Sequence, residues 1–284
     1  MGLQTDKWKI AFRKKQGYED IATPYIPVPG DRDGWYADPF LFEWQGRTWL
    51  FAEYFSYQTR KGRIVCCEYE PAHHGFSPWR EALREPFHLS YPFVFADKGS
   101  IYMLPEAAES GQLLLYRAKS FPDRWECATV LRQRDELVDT TPLPDGKTAI
   151  AYRQKNGEPA GCVLLSMPDA AQSRDLTALR PLLRSRPGGR IFSVGDGFVH
   201  PAQDGEKTYG GSLVFYQSDA LLTAFSPVFT LLPEQITVKG EHARLRGIHT
   251  YNCTAQLEVI DYKIQSVSVV RIAHRLLQKA GFEK

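Results

Sequence analysis

Trp35-Tyr36-Ala37-Asp38-Pro39-Phe40-Leu41-Phe42-Glu43-Trp44 begins an apolar strand with an acidic residue held against a proline. Proline pushes the residue before it into an extended conformation and has no amide hydrogen to donate. We therefore expect Asp38 at a strand entrance, with its carboxylate free for interactions outside the sheet. An ordinary Asp-Pro pair between a loop and a strand has the same local signature.

The pattern of this stretch recurs roughly every fifty residues. Pro92-Phe93-Val94-Phe95 repeats Pro39-Phe40-Leu41-Phe42, a turn follows at the same offset, and Glu53 and Glu106 end the two second strands. More degraded copies start near Asp139, Gly189 and Ile248. Five copies of this size predict an all-β fold, a five-bladed β-propeller over residues 35–265.

The two ends of the chain are expected to differ from the repeats. Residues 1–34 form an N-terminal segment in which Trp8-Lys9-Ile10-Ala11-Phe12 is strand-like and could complete the last blade. Residues 266–284 predict a short amphipathic C-terminal helix, with Val269, Ile272, Ala273, Leu276, Leu277 and Ala280 at helical spacing and Arg271, Arg275 and Lys279 opposite. Packing on the propeller is the expected role of this helix, and binding to a membrane surface or a partner is the alternative.

The composition is that of a globular protein. Of 284 residues, 43% are hydrophobic and 13% aromatic, and 19 are prolines, which favours β structure with many turns. A net charge of +2 argues against a nucleic-acid partner. Five cysteines without metal-ligand spacing favour free thiols in a reducing compartment. The first residues lack an apolar signal core and no stretch is long enough to cross a bilayer, so a cytoplasmic protein is expected.

Polar residues at the starts of the first strands and at the ends of the second strands should converge. The first strand of every propeller blade lines the central channel, although the blades are far apart in sequence. The residues at these places are Asp38, Glu53, Tyr91, Glu106, Asp139, Arg153, Arg190, Gln203, Asp204, Tyr209 and His249.

Several carboxylates around one axis suit the cleavage or transfer of a glycosyl group. Such chemistry uses one carboxylate as base or nucleophile and a second, with a raised pKa, as acid. We assign Asp38 as base or nucleophile and Glu106 as acid, with Asp139 orienting the substrate or tuning the acid. Glu53 is the alternative acid. Glu53 and the remaining residues of the set are assigned to substrate binding.

Three of these residues have alternative roles. Arg190 follows two glycines and could clamp a phosphate or carboxylate, or form a salt bridge with a central acid. Asp204 could cap a turn. His249 could bind a ligand or a central-channel cation, or be a core histidine. No cofactor and no metal-binding motif is predicted otherwise.

Six motifs in order resemble the N-terminal domain of plant glucosamine inositolphosphorylceramide transferases. They are Trp35-Tyr36-Ala37-Asp38-Pro39-Phe40, Tyr102-Met103-Leu104-Pro105-Glu106, Val138-Asp139-Thr140-Thr141, Gly189-Arg190-Ile191-Phe192, Pro201-Ala202-Gln203-Asp204 with Tyr209-Gly210-Gly211, and Gly247-Ile248-His249-Thr250-Tyr251-Asn252. The resemblance implies a five-bladed propeller similar to arabinanase, furanosidase and invertase-type hydrolases. Bacterial relatives occur alone or fused to formyltransferase-like domains, which implies a glycosyltransferase or formyltransferase partner.

The main functional hypothesis is therefore a glycoside hydrolase-like enzyme that acts on a glycosyl linkage in surface polysaccharide or glycolipid metabolism. In the plant proteins that it resembles, the transferase chemistry is attributed to a separate C-terminal domain. Two alternatives follow: a non-catalytic sugar-binding or scaffold propeller that works with a glycosyltransferase, or a glycosyltransferase that itself uses a nucleotide-sugar donor. A saccharide or glycoconjugate is the expected ligand in each case.

Overall fold

Five antiparallel sheets follow one another along the chain, as the repeat predicts. The computed structural model describes residues 4–155, 158–166, 173–175, 186–218 and 225–267. Two strands, β1 (Gln4–Lys14) and β2 (Ile26–Pro27), precede the first repeat. Blade 1 contains β3 (Gly34–Trp44), β4 (Arg47–Ser56), β5 (Gly62–Glu70), β6 (Gly75–Phe76) and β7 (Arg80–Leu83). Blade 2 contains β8 (Ser90–Asp97), β9 (Ser100–Glu106), β10 (Gln112–Ser120) and β11 (Arg124–Gln133).

The remaining blades follow the same plan. Blade 3 contains β12 (Glu136–Pro142), β13 (Thr148–Lys155), β14 (Glu158–Ser166) and β15 (Ser173–Asp175). Blade 4 contains β16 (Phe192–Val194), β17 (Gly197–Asp204), β18 (Ser212–Ser218) and β19 (Phe225–Leu231). Blade 5 contains β20 (Leu245–Gly247), β21 (Tyr251–Cys253) and β22 (Leu257–Val267). The helical turns of the described residues are short 3-10 segments at Pro71–His73, Ala108–Ser110 and Pro233–Gln235.

The N-terminal strand supplies the outer part of blade 5. β1 pairs antiparallel with β22 along its whole length, from Gln4 opposite Val267 to Lys14 opposite Leu257. β2 then pairs with the outer edge of β1. Closure by the two ends of the chain leaves no long unpaired edge between the first and last blades.

The predicted C-terminal helix lies almost entirely outside the described residues. Ser266 and Val267 are the end of β22, and residues 268–284 are beyond the described part of the chain. Within the described part, no helix has the length and apolar character that a membrane crossing needs.

A bulge interrupts the inner strand of each of the first three blades at the same place. The pairing register shifts between Ala37 and Phe40, between Ser90 and Phe93, and between Val138 and Thr141. The residue after the first member of each pair has a positive φ: 50° at Asp38, 46° at Tyr91 and 51° at Asp139. The left-handed backbone at Asp38 differs from the extended conformation that the following proline predicts, because the bulge turns the chain at this position.

The hydroxyl group of Tyr91 joins three blades at the centre of the ring. It accepts a hydrogen bond from the backbone N–H of Gly189 in the blade-4 segment (2.9 Å) and lies 2.8 Å from Thr141 Oγ1 in blade 3. Because Thr141 Oγ1 donates to the carbonyl of Asp139, Tyr91 is the donor in the second contact. The backbone N–H of Tyr91 also donates to Asp38 in blade 1 (3.1 Å).

Close approach at this centre requires a glycine in the blade-4 segment. Gly189 has φ 137°, and a Cβ there would lie 1.9 Å from the carbonyl oxygen of Tyr251. No side chain fits in that space, so the Gly189 amide can reach Tyr91 only in the absence of a side chain.

We expect Tyr91→Phe to lower the free energy of unfolding by about 1 to 3 kcal/mol, because it leaves the buried Gly189 N–H without an acceptor and removes the donor to Thr141 Oγ1. Urea unfolding of both proteins measures the change. Tyr209→Phe is the matched control, since the Tyr209 side chain is 54% exposed. Equal stability of Tyr91→Phe and wild type would contradict the joining role of the hydroxyl.

Candidate active site

A buried carboxylate from blade 5 organises the centre of the site. Asp261, fully buried in β22, accepts hydrogen bonds from the backbone N–H groups of Asp38 (3.0 Å), His249 (2.9 Å) and Thr250 (3.0 Å). Its Oδ2 also lies 2.5 Å from Nδ1 of His249. Asp261 therefore fixes the bulge of blade 1 to the start of the inner strand of blade 5.

Asp38 lies directly beside this cluster. Its two carboxylate oxygens accept hydrogen bonds from the Tyr91 N–H (3.1 Å) and from Thr250 Oγ1 (2.9 Å). Burial raises the pKa of Asp38 to about 6, although the nearby His249 opposes the rise. The carboxyl group can therefore gain or lose a proton near neutral pH.

His249 lies between the carboxylates of Asp261 and Asp38, which favour the charged form of its ring. Burial works against the charge, but the contact with Asp261 outweighs it and the pKa of His249 is raised. Its Nε2 lies 3.8 Å from Asp38 Oδ1. Trp8 of β1 stacks on the imidazole with ring centroids 4.0 Å apart, so the N-terminal strand also lines this site.

Blades 2, 3 and 4 contribute a second group of charges. Asp139 Oδ2 accepts hydrogen bonds from Arg186 Nε (2.7 Å) and from Gln203 Nε2 (3.0 Å). The same guanidinium lies 3.5 Å from Glu106 Oε2. Arg186 thus pairs with Asp139 and remains within reach of Glu106.

Two glutamates of this centre favour the protonated state. Burial raises the pKa of Glu106 to about 8, and the charge of Asp139 adds to the rise. Burial also raises the pKa of Glu53 well above its usual range, with Asp38 and Glu106 as further causes. Glu106 therefore holds a proton at neutral pH, whereas a carboxyl group in water has lost its proton, and the shift of the Glu53 pKa favours its protonated form in the same way.

The charges of the cluster balance only with this protonation. Among the described residues it holds five carboxyl groups and two cationic side chains, those of Arg186 and His249; the carboxyl groups are those of Asp38, Glu53, Glu106, Asp139 and Asp261. Five buried negative charges against two positive ones would be strongly unfavourable. If Glu53 and Glu106 are neutral, most of the excess negative charge is removed. The cluster then contains both proton donors and carboxylates.

The structure brings most of the predicted residues to the axis. Asp38, Glu106 and Asp139 take part in this charge network, as do Glu53, Gln203 and His249. Tyr91 is also at the axis, but its side chain is fully buried and its hydroxyl bonds other blades. Tyr209 is exposed and packs edge-on against His249, with centroids 5.5 Å apart, which places it at the mouth of the site.

Three predicted residues have contacts elsewhere. Arg153 pairs with Asp135 (3.1 Å), since Tyr152 opposes Val138 where Glu53 opposes Ala37 in blade 1. Arg190 lies over the ring of Phe93 and donates to the carbonyl of Val94 (2.6 Å).

Asp204 accepts hydrogen bonds from the Glu206 N–H (3.1 Å) and Ser212 Oγ (3.3 Å), as a turn cap does.

Asp38, His249 and Asp261 are close enough together to be considered as a metal site. One ligand atom of each lies within 4.8 Å of the others. However, Asp261 already accepts three backbone hydrogen bonds and faces His249 Nδ1, so both of its carboxylate oxygens have hydrogen-bond partners. The donor set fits a protonated imidazole between two carboxylates better than a cation.

Sequence reasoning did not identify Asp261, Arg186 or Thr250 as site residues. Asp261 carries a readable signal: it is an acid inside the apolar second strand of blade 5, as Glu53 is in blade 1. Arg186 lies four residues before the arginine that the sequence suggested, and its position depends on the irregular start of blade 4.

The five sheets form a five-bladed propeller, an architecture that is also found in glycoside hydrolases. An α-L-arabinofuranosidase from Podospora anserina, solved in complex with cellotriose, superposes with a TM-score of 0.55, covering 84% of this chain and 95% of that one at 11% identity. At this identity the likeness concerns the fold alone.

Residues 28–149 match the family described as glucosamine inositolphosphorylceramide transferase 1, N-terminal. This match agrees with the resemblance that the motifs indicate. The protein named glucosamine inositolphosphorylceramide transferase 1 of Arabidopsis thaliana is 37% identical over 144 residues, 49% of this chain. The protein of the same name from Oryza sativa subsp. indica is 28% identical over 221 residues, 71% of this chain. The matches span 19% and 29% of those two proteins.

We expect Glu106→Gln to flatten the pH dependence of stability between about pH 5 and pH 8. The usual pKa of a glutamate is 4.5, whereas Glu106 in the folded protein titrates at about 8. Between these values the folded state binds the additional proton, so wild-type stability falls as the pH rises. Calorimetric Tm values across this range measure the slope.

The control for this prediction is Glu126→Gln on the same blade. Glu126 is paired with Arg117 at the surface, and this lowers its pKa, so its titration lies below the window. An unchanged slope in Glu106→Gln would show that Glu106 is ionised in the folded protein.

Proposed function

We propose that this chain is a carbohydrate-active propeller that acts in glycosyl transfer to a glycoconjugate, with the axial carboxyl groups as its reactive site. The observation that carries the proposal is the convergence of carboxyl groups from different blades on one charge network, in which Arg186 joins Glu106 to Asp139 and Asp38 lies beside His249. The glycosyl-transferring activity in the names of the two plant relatives supports transfer over simple hydrolysis. A glycolipid acceptor follows from the same names and is part of the proposal.

The two carboxyl groups have the protonation states that such a reaction needs. Glu106, with a pKa of about 8, donates its proton to the oxygen of the departing group. Asp38, with a pKa of about 6, is ionised at neutral pH and removes a proton from the attacking hydroxyl or stabilises the positive charge at the sugar carbon. Asp139 is held beside Glu106 by Arg186 and Gln203, and its proximity adds to the rise that burial causes in the pKa of that acid.

A non-catalytic sugar-binding propeller is the second candidate. The specific observation in its favour is that the matched stretch is 19% of the Arabidopsis protein and 29% of the rice protein. Most of each relative thus lies outside the match and could carry the transfer chemistry. In that case the axial site would bind a saccharide for a separate glycosyltransferase.

We expect Asp38→Asn to lower kcat/KM for glycosyl turnover by at least about a hundredfold, because a neutral amide cannot accept a proton or stabilise a cation. Release or transfer of the sugar from a set of activated glycosides and nucleotide sugars measures this activity. Asp204→Asn is the matched control, since Asp204 caps a turn of blade 4. Full activity of Asp38→Asn would overturn the assignment. Saccharide binding without turnover in the wild type would favour the second candidate.

We also expect a bell-shaped dependence of kcat/KM on pH, with limbs near pH 6 and pH 8. Activity rises as Asp38 loses its proton and falls as Glu106 loses its proton. A pH profile of the wild type tests both assignments. A profile without an alkaline limb would exclude Glu106 as the acid and leave Glu53, whose raised pKa also suits that role.

A further inference from the structure

The junction of blades 1 and 2 contains a buried carboxyl oxygen without a hydrogen-bond partner. Glu53 is 4% exposed, and its Oε1 makes no hydrogen bond within the described part of the chain. Nε2 of His88 lies 3.4 Å from this oxygen. An open hydrogen-bonding position on a buried polar atom costs free energy that a ligand hydroxyl can recover.

The neighbouring His88 is fixed in one orientation. Its Nδ1 accepts a hydrogen bond from the Gly62 N–H (2.9 Å), so a neutral ring carries its proton on Nε2, the atom that faces Glu53. Its backbone N–H donates to Glu109 (2.7 Å), which pairs with Lys61 (2.8 Å). The imidazole remains half-buried, with one side toward solvent.

Gly62 lets the two blades approach at this point. A Cβ there would lie 2.7 Å from Glu53 Oε1, 2.8 Å from His88 Cε1 and 2.4 Å from the carbonyl oxygen of Leu89. A side chain at position 62 would therefore collide with Glu53, His88 and the backbone of Leu89.

Two aromatic rings stand beside this position without a role in the core. Trp35 and Phe55, directly paired between β3 and β4, are stacked with centroids 4.7 Å apart and an interplanar angle of 7°. Both are half-buried, and neither belongs to, or packs as a neighbour against, the five buried clusters of the described residues. Phe55 is two residues from Glu53 on the same face of β4, and its centroid is 6.2 Å from that of His88.

We propose that Trp35, Phe55 and His88 form a saccharide subsite, in which the apolar face of a pyranose ring packs on the rings and a sugar hydroxyl fills the open position of Glu53. A sugar ring presents apolar C–H groups on its faces and hydroxyl groups at its edge, which matches aromatic walls with one polar group at the base. The subsite adjoins the axial acids, because Ala37, paired with Glu53, precedes Asp38. The inference rests on the proposed function and names where its sugar is held.

The subsite is tested by calorimetric titration of the full chain with methyl glycosides of glucose, mannose and glucosamine. We expect Trp35→Ala and Phe55→Ala each to weaken binding about tenfold, since an aromatic contact contributes on the order of 1 kcal/mol or more. Trp35→Phe keeps an aromatic face and should retain most of the affinity. Trp44→Ala is the matched control: it changes a half-buried tryptophan at the other end of β3, about 30 Å away.

The outcomes separate the subsite from the proposed function. Glycoside binding that is unchanged in both Trp35→Ala and Phe55→Ala overturns the subsite and leaves the proposed function standing. Equal losses in Trp35→Ala and Trp44→Ala also overturn it, because they show a general loss of structure. If none of the glycosides binds the wild-type chain, the subsite and the proposed function fall together.

Discussion

Tyr91, at the centre of the ring, joins blades that are far apart in sequence through its hydroxyl group and its backbone N–H. Tyr91 contacts Asp38, Thr141 and Gly189, each from a different blade. These contacts are possible only because the inner strands bulge at the same level and turn their polar residues toward the axis. The positive φ angles at the three bulges are unfavourable for residues with a side chain, and the surrounding sheets hold them in place. The geometry of the site therefore depends on the complete ring and on no single blade.

The same convergence determines the chemistry of the acids. Carboxyl groups that would be ionised in water are brought together in a region of low dielectric, where they repel one another. Arg186 and His249 compensate Asp139 and Asp261, and the uncompensated groups respond by holding protons. Asp38 and Glu106 carry the same functional group, so the difference between their pKa values arises from the residues around them.

The repeat in the sequence made the fold predictable, and it located the acids that follow its rules. Pro-Phe-x-Phe marks the inner strands of blades 1 and 2, and Glu53 and Glu106 fall where each second strand returns to the axis. The predictions of site residues fail where the spacing of residues along the repeat changes from one blade to the next. Arg153 is one position after Tyr152, the residue whose strand position corresponds to that of Glu53 in blade 1. In blade 4 the chain between Pro187 and Phe192 is longer than in the other bulges, so Arg186 reaches Asp139 and Arg190 packs on Phe93. A one-residue change of register reverses the face of a strand, and sequence alone does not fix that register.

The closure of the ring by β1 and β22 also orders the events of folding. Gln4 pairs with Val267, so the last blade cannot form until nearly the whole described chain has been synthesised. Contacts between such distant segments form slowly because a long loop must close first. Trp8, which stacks on His249, arrives with that closure. The ring that covers His249 is consequently in place only in a chain whose β1 and β22 have paired.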